Sequence, residues 1–306
     1  MYVLMTNPKK LKKGDTVAII ATSSPANKKK LIDGIKTLEN MGLHVCVMES
    51  CLTDGDEETP SYLAASDKVR LRDLHTAFAD KNIKGIFVAR GGYGAARLLP
   101  HVDFDLIRQN PKIFAGYSDV TALHIAINQI CKLITYHAPM PAADLPIADS
   151  ATLHSLWASI FDGACKAKSG REGHILTGGN LSVICASLGT PYEINTHGRI
   201  LFLEEIQEPP YRIDRMLVQL KQAGKLREAA GFVLGDFSPE NPDTIKLAIS
   251  ELLVPEGKPI IVDIPCGHCM PNLTLPLGAV AKISTESLHP LQIYCHPQIQ
   301  AGRILF

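Results

Sequence analysis

A serine between a predicted strand and a predicted helix has the context of a reactive group. Residues 113–115 are a short apolar run typical of a buried parallel strand, and residues 120–130 repeat apolar side chains at helical spacing. Ser118 is therefore expected in a turn raised above the carboxyl edge of a sheet, beside the free N–H groups of a helix start. This geometry is that of a nucleophile elbow, in which a serine hydroxyl is exposed for attack.

The elbow interpretation has a simpler alternative. The usual pattern is Gly-x-Ser-x-Gly, and in this sequence Val120 occupies the position of the last glycine. Ser and Asp are also favoured N-cap residues, so Ser118 or Asp119 could simply cap the following helix. A motif this short does not choose between the two roles.

A serine nucleophile needs a general base, and the base needs a group that orients it. Of the 11 histidines, His268 lies in a predicted loop after Gly267, flanked by prolines, which is how a catalytic side chain is displayed. His124 and His137 lie nearer to Ser118 along the chain and are alternative bases. The sequence pattern alone leaves this choice open.

Glu204 is the carboxylate with the most unusual context. It follows the apolar run 200–203, so it is predicted to end a strand close to the core. A carboxylate there costs desolvation energy unless it is paired, and an imidazole is its natural partner. Glu205 and Glu208 are alternatives whose simpler roles are solvent contact and a charge near a helix start.

A glycine-rich segment follows a predicted strand at residues 85–90. It reads Arg90-Gly-Gly-Tyr-Gly94, and glycines in such a place let backbone N–H groups approach an anion. It fails as a dinucleotide fingerprint because Arg97 stands where the third glycine belongs. The segment is either an oxyanion donor site or a turn without a chemical role. Arg90 itself could bind a substrate carboxylate or form a structural ion pair.

The cysteines offer a different kind of chemistry. Cys266 and Cys269 have the spacing of a dithiol redox site, but the prolines that follow prevent the helix start that lowers a thiol pKa. Zinc would need a second ligand pair, and Cys295-His296 does not supply a matching one. Redox and metal chemistry are minor alternatives, and we expect no cofactor and no metal.

Composition excludes several classes of partner. The 306 residues contain 31 basic and 31 acidic side chains, so there is no overall basic field for nucleic acid or anionic membrane. The apolar start at residues 1–5 is too short for a signal peptide, and no stretch approaches a membrane-spanning length. We therefore expect a cytoplasmic protein with no nucleic-acid or membrane partner.

The order of predicted elements indicates an α/β protein of two domains. Residues 1–145 should form a parallel-sheet α/β domain that carries the nucleophile elbow, with residues 146–172 as a linker region and the Pro/Ala-rich residues 136–146 as the crossing. Residues 173–306 should form a smaller, mixed α/β domain that carries Glu204 and His268. Strands are predicted within residues 14–25, 44–48, 85–90, 113–115, 173–180, 198–205, 231–235, 259–263 and 279–283, and helices within 30–41, 66–80, 104–109, 120–130, 151–161, 180–188, 211–223 and 244–253.

Several segments together resemble the LD-carboxypeptidases, serine peptidases of family S66 that act on muropeptides. Jointly they are far more specific than any one of them, and they extend over nearly the whole chain. The matching segments are Arg90-Gly-Gly-Tyr-Gly94, Gly116-Tyr-Ser-Asp119, Thr177-Gly-Gly-Asn-Leu181, Leu203-Glu-Glu-Ile-Gln-Glu-Pro-Pro-Tyr-Arg-Ile-Asp-Arg-Met-Leu217, and Gly267-His268 followed by Thr274-Leu-Pro-Leu-Gly278.

The resemblance implies a role for each candidate residue. Ser118 would be the nucleophile, His268 the general base and Glu204 its orienting group, meeting at the interface of the two domains. The backbone N–H groups of Asp119 and Gly92 would hold the oxyanion. The implied reaction removes the terminal D-alanine from murein tetrapeptides in peptidoglycan recycling, without a cofactor, in an enzyme that forms homodimers.

Two other functions remain open at this stage. A peptidase of the microcin C immunity type shares these motifs but cleaves an aminoacyl-nucleotide conjugate, and an aromatic platform for the base would favour it. A protein of another class would bind muropeptides without catalysis, or use Cys266 and Cys269 as a dithiol.

Overall fold

The computed structural model describes residues 5–53, 59–162, 173–238, 242–284, 291–293 and 303–305, and these form two β-sheets accompanied by helices. The first four residues, the second part of the predicted linker at 163–172, and the pair Cys295-His296 lie outside them. Among the described residues, none of the helices combines the length and the apolar character needed to cross a membrane.

The first sheet is built mainly from the first half of the chain. Its strands β1 to β5 pair in parallel in the order β5-β4-β3-β1-β2, and β1, β3 and β4 are almost entirely buried, as their continuous apolar runs predict. The strands are β1 (Thr16–Ile20), β2 (His44–Val47), β3 (Ile83–Val88), β4 (Ile113–Gly116) and β5 (Thr135–His137); the helices are α1 (Lys28–Asn40), α2 (Asp67–Ala79), α3 (Ala95–Leu98), α4 (Phe104–Gln109), α5 (Thr121–Ala126) and α6 (Ser150–Trp157).

The second sheet comes from the second half of the chain, as predicted, and contains both parallel and antiparallel strands. Its central strands β6 to β9 are parallel, and antiparallel strands flank them, in the order β12-β11-β6-β7-β8-β9-β13. The strands are β6 (His174–Asn180), β7 (Ile200–Ile206), β8 (Gly231–Ser238), β9 (Ile260–Val262), β10 (Leu275–Leu277, in the first sheet), β11 (Val280–Ile283), β12 (Leu291–Ile293) and β13 (Arg303–Leu305); the helices are α7 (Leu181–Ala186), α8 (Pro210–Gln222), α9 (Lys225–Glu228) and α10 (Pro242–Leu252).

The segment 136–146 is part of the first domain's core, so its prediction as a crossing between domains was wrong. Its first residues belong to β5, and Ala138, Met140 and Ala142 are buried. The Ala142 N–H donates to the Ala89 carbonyl beyond β3. Small alanines and prolines fill a tightly packed space here, and the same composition is typical of linkers, so the sequence did not separate the two cases.

Strand β10 makes the first sheet mixed instead of purely parallel. It follows the His268 loop in sequence but pairs antiparallel with β5 in the first sheet. The Asn128 side chain donates to the Leu277 carbonyl and strengthens this attachment. A three-residue strand containing Pro276 gives almost no periodic signal, which is why it was not predicted. The His268 loop is thereby fixed to both sheets.

Arg70 on α2 fixes the glycine-rich segment to the first sheet. Its side chain is fully buried, and its N–H groups donate to the carbonyl oxygens of Ala65, Thr22 and Gly94. Asp67, one helical turn earlier, neutralises its charge. A buried guanidinium is tolerated where its donors find acceptors, so Arg70 joins α2, the end of β1 and the glycine-rich segment in one unit.

Arg70→Met is expected to lower the free energy of unfolding by about 3 kcal/mol, because three buried carbonyl groups each lose a donor at about 1 kcal/mol. Urea denaturation measures the change. The matched control is Lys68→Met on α2, since the Lys68 side chain is exposed and its replacement should leave the free energy of unfolding nearly unchanged. Equal losses in the two variants would contradict the role given to Arg70.

Candidate active site

Ser118 occupies the turn between β4 and α5 in a backbone conformation that few residues other than glycine adopt. Its φ of 65° lies in the left-handed region, a strain of about 1 kcal/mol or more that is typical of functional turns. No side-chain cap bond forms at the start of the turn Ser118–Val120 or at the start of α5. The structure therefore favours the elbow interpretation of Ser118 over the cap interpretation.

The Asp119 side chain connects the elbow to two neighbouring loops. Its Oδ2 accepts a hydrogen bond of 2.6 Å from the Ser23 hydroxyl beyond β1 and one of 2.8 Å from the Ala95 N–H at the start of α3. Burial raises the pKa of Asp119, and these donors counteract the rise. Asp119 therefore fixes the backbone that presents Ser118.

The glycine-rich segment lies directly against Ser118. The residue that makes this contact is Gly91, whereas Gly92 was the residue predicted from the sequence. A Cβ at Gly91 would lie 2.8 Å from Cβ and 2.9 Å from Oγ of Ser118, so a side chain there would displace the serine. Gly92, the predicted oxyanion donor, has a φ of 112° and packs beside Ser24. A run of glycines does not indicate which one makes the close approach, and for that reason Gly91 was overlooked.

Glu204 and His268 form a buried hydrogen-bonded pair. Glu204 lies near the end of β7 and is fully buried, and its Oε2 is 2.8 Å from Nδ1 of His268. The His268 ring contacts the Tyr117 ring edge-on, with centroids 4.8 Å apart, and the Tyr117 hydroxyl donates to Asp144. Because Tyr117 precedes Ser118, this contact brings the Glu204–His268 pair next to the elbow.

The protonation of this pair is set by opposing effects. Burial alone would raise the pKa of Glu204, but the neighbouring imidazoles of His137 and His268 outweigh burial and lower this pKa to about 2. Burial alone would lower the pKa of His268, but the hydrogen bond and charge of Glu204 outweigh it and raise this pKa. Glu204 is therefore a carboxylate at neutral pH, and its hydrogen bond is charge-assisted.

The His268 loop is held in place by backbone bonds on both sides. Gly267 has a φ of 121°, and a Cβ there would lie 2.8 Å from Oε2 of Glu204. Its N–H donates to the Asn272 side chain at 3.1 Å, and the Asn272 N–H donates to the Thr152 hydroxyl of α6 at 2.9 Å. Only glycine at position 267 allows Glu204 and His268 to approach this closely.

The alternative carboxylates have other partners. Glu205 accepts hydrogen bonds from the Asn180 side chain and the Ser182 N–H, and so stabilises the turn from β6 into α7. Glu208 lies within 3.3 Å of Arg212, in an ion pair at the start of α8. Neither of these contacts involves His268.

The alternative histidines are both buried. Both ring nitrogens of His124 form hydrogen bonds, one with the Thr135 hydroxyl and one with the Gly116 carbonyl. Burial lowers the pKa of His124 to about 3. His137 on β5 lies beside the other oxygen of Glu204, with Nε2 at 3.9 Å from Oε1. Its position on the far side of the carboxylate was not predicted, because β5 itself was mistaken for part of a crossing.

The two cysteines of the His268 loop lack the properties of a dithiol redox site. Cys266 is fully buried, and the Cys269 thiol donates to the Pro271 carbonyl. Burial raises the pKa of Cys269 to about 12 and that of Cys266 well above its usual value. Reactive thiols require the opposite shift, so the dithiol alternative loses its support.

Arg90 lies at the surface beside the glycine-rich segment. Its guanidinium donates to the Pro25 carbonyl at 3.1 Å. No carboxylate within the described part of the chain lies at ion-pair distance from Arg90, so the structural ion pair considered from the sequence is not found there. A guanidinium without an acidic partner retains donors for a ligand carboxylate.

These groups match the requirements of acyl transfer. A carboxylate that accepts from Nδ1 of an imidazole leaves Nε2 able to take a proton, and a strained turn serine beside a glycine-rich backbone segment lies nearby. Among the described residues, no cluster of three or more His, Cys, Asp or Glu side chains is arranged to hold a metal ion. The geometry fits hydrolysis through an acyl-enzyme.

Comparison with known proteins identifies the family. The model of the LD-carboxypeptidase N-terminal domain matches residues 17–138, and that of the C-terminal domain matches residues 172–283. The probable murein peptide carboxypeptidase of Bacillus subtilis (strain 168) is 38% identical over 303 residues, covering 93% of both chains.

Solved structures agree with the sequence matches. The muramoyltetrapeptide carboxypeptidase from Oxalobacter formigenes superposes with a TM-score of 0.74 at 28% identity, over 87% of this chain and 94% of its own. An MccF-like protein from Bacillus anthracis str. Ames gives a TM-score of 0.79 at 28% identity, over 90% and 95%. The protein therefore belongs to the LD-carboxypeptidase family, the serine peptidase family S66.

Proposed function

We propose that this protein is a serine LD-carboxypeptidase that removes the terminal D-alanine from murein tetrapeptides in peptidoglycan recycling. The observation that carries the proposal is the buried Glu204–His268 pair, which contacts Tyr117 beside the strained Ser118. The name of the Bacillus subtilis relative, a probable murein peptide carboxypeptidase, supports the substrate class.

In the proposed mechanism His268 acts first as a base. Its Nε2 takes the proton of the Ser118 hydroxyl, which attacks the carbonyl that joins an L-configured centre to the terminal D-residue. Glu204 holds the Nδ1–H and stabilises the imidazolium that forms, because its negative charge lies 2.8 Å away. His268 then protonates the leaving amine, D-alanine departs, and water hydrolyses the acyl-enzyme.

The oxyanion of each tetrahedral intermediate needs backbone donors. The Asp119 N–H and the Gly92 N–H are the proposed donors, each contributing about 3 kcal/mol to the transition state. The close contact between Gly91 and Ser118 supports this assignment, since it places the glycine-rich backbone next to the reacting hydroxyl. The fixed position of Asp119 supports it as well.

Arg90 is the proposed anchor for the free carboxylate that an exopeptidase must recognise. Its exposed position beside Gly91 and its lack of a carboxylate partner within the described residues support this role. Arg90→Gln is expected to raise KM for tetrapeptide more than it lowers kcat, because the charge acts on binding. Steady-state kinetics measure the changes in KM and in kcat separately. An unaltered KM would count against Arg90 as the carboxylate anchor.

A second function of the same chemistry has one observation in its favour. Tyr93, in the glycine-rich segment, and Tyr62 are exposed and pack together with ring centroids 5.8 Å apart. Such a pair could stack a nucleobase, as a microcin C immunity-type peptidase requires. Turnover of an aminoacyl-nucleotide conjugate in preference to murein tetrapeptide would favour this alternative.

Ser118→Ala is expected to reduce D-alanine release from murein tetrapeptide by about 10⁴-fold or more, since no other group replaces the nucleophile. The assay incubates the purified protein with tri-, tetra- and pentapeptides and identifies the released amino acid. Ser187→Ala, whose hydroxyl bonds to the Ile184 carbonyl on α7, is the control and should retain full activity. Turnover retained by Ser118→Ala would refute the assignment.

The acidic limb of kcat/KM should lie above pH 6.5, because His268 must be neutral to act as a base and its pKa is raised from that value. Glu204→Gln removes the charge that raises this pKa, so the limb should move to lower pH while the maximum rate falls. Glu208→Gln, in the ion pair with Arg212, is the control and should leave the limb in place. A limb that stays fixed in Glu204→Gln would contradict the pairing.

A further inference from the structure

Two buried polar atoms, one on His137 and one on Glu204, lie close together without a hydrogen bond. His137 and Glu204 are both fully buried, and Nε2 of His137 lies 3.9 Å from Oε1 of Glu204. Neither atom has a hydrogen-bond partner among the described residues. Buried polar atoms are nearly always paired, so two that point at each other require an explanation.

The surroundings of His137 leave its ring little freedom. The Tyr117 ring lies 5.3 Å from it between centroids, and the Phe202 ring meets it edge-on at 5.0 Å. On the opposite side, Nδ1 of His137 is 3.3 Å from the Cys266 thiol. The imidazole of His137 thus lies between two aromatic rings. Its Nδ1 contacts the Cys266 thiol, and its Nε2 lies toward the Glu204 carboxylate.

The thiol and the carboxylate on either side of the ring together favour one tautomer of His137. Cys266 is buried and its pKa is raised well above its usual value, so it is a protonated S–H group and can donate to Nδ1. With the thiol as donor to Nδ1, the ring proton of His137 lies on Nε2, toward Glu204. The opposite tautomer would direct a lone pair of Nε2 at the Glu204 carboxylate, which is ionised because its pKa is lowered to about 2.

We propose that His137 is a positioning residue whose Nε2–H holds Oε1 of Glu204, so that Oε2 is fixed in the direction of Nδ1 of His268. The two atoms would need to approach by about 1 Å to reach a normal hydrogen-bond length. His137 belongs to the first sheet with the Ser118 elbow, whereas Glu204 belongs to the second. The contact therefore also sets the separation of the serine-bearing and carboxylate-bearing halves.

The inference rests on the proposed function, but its first test does not need turnover. In the intact protein labelled with ¹⁵N-histidine, NMR should show a proton on Nε2 of His137 at neutral pH. A ring that carries its proton on Nδ1 and none on Nε2 overturns the proposal whether or not the enzyme releases D-alanine. The expected tautomer in a protein without activity on tetrapeptides would overturn only the proposed function.

Two variants at the same position separate positioning from packing. The Nδ1–H of His268, in its hydrogen bond of 2.8 Å to Glu204, is expected to give a downfield proton NMR signal. His137→Leu removes the donor and is expected to lower kcat by about 10- to 100-fold with little change in KM, and to abolish this signal. His137→Gln retains an N–H donor, so it should restore part of kcat and part of the His268 signal. Unchanged kcat and an unchanged His268 signal in His137→Leu overturn the proposal.

His124→Leu is the matched control for losing a buried imidazole. His124 is fully buried, and its partners are the Thr135 hydroxyl and the Gly116 carbonyl. We expect this variant to lose thermal stability as His137→Leu does and to keep the downfield signal of His268. Loss of the signal in both variants would show that general destabilisation is the cause, against the proposal.

Discussion

The structure depends on one fully buried carboxylate. Glu204 carries its negative charge near the end of β7, away from solvent, and an unpaired charge there would be strongly destabilising. It becomes acceptable because His268 donates to one oxygen at 2.8 Å and His137 lies beside the other. The need to compensate this charge explains why a glycine at 267, a loop fixed to α6 and a histidine from the opposite sheet surround it.

The same arrangement joins the two sheets around Ser118. The loop that carries His268 continues into β10, which pairs with β5 in the first sheet, while Glu204 belongs to the second sheet. The first sheet also carries the strained Ser118, whose turn is held by Asp119 and by Arg70 through the glycine-rich segment. Strain at Ser118 is tolerated because several independent hydrogen bonds fix the surrounding backbone.

Much of the fold could be predicted, because apolar runs and helical spacing report burial directly. The central strands and the Ser118 elbow followed from such patterns, whereas β5 and β10 did not, since short strands containing small residues or proline have no periodic signal. The roles of single residues were harder to predict than the elements that carry them. His268 could not be separated from His124 and His137 by spacing, because pairing with Glu204 is set by tertiary contacts. The resemblance to the family indicated that His268 pairs with Glu204, which periodicity could not indicate.

We propose that the buried charge of Glu204 acts through His268 to activate Ser118. The most direct measurement is the rate at which a serine-directed fluorophosphonate forms an adduct, with the modified peptide mapped by mass spectrometry, in the natural protein and in Glu204→Gln. We expect a single adduct on Ser118 that forms at least about 100-fold more slowly in the variant. An adduct on another residue, or equal rates in the two proteins, would contradict the account.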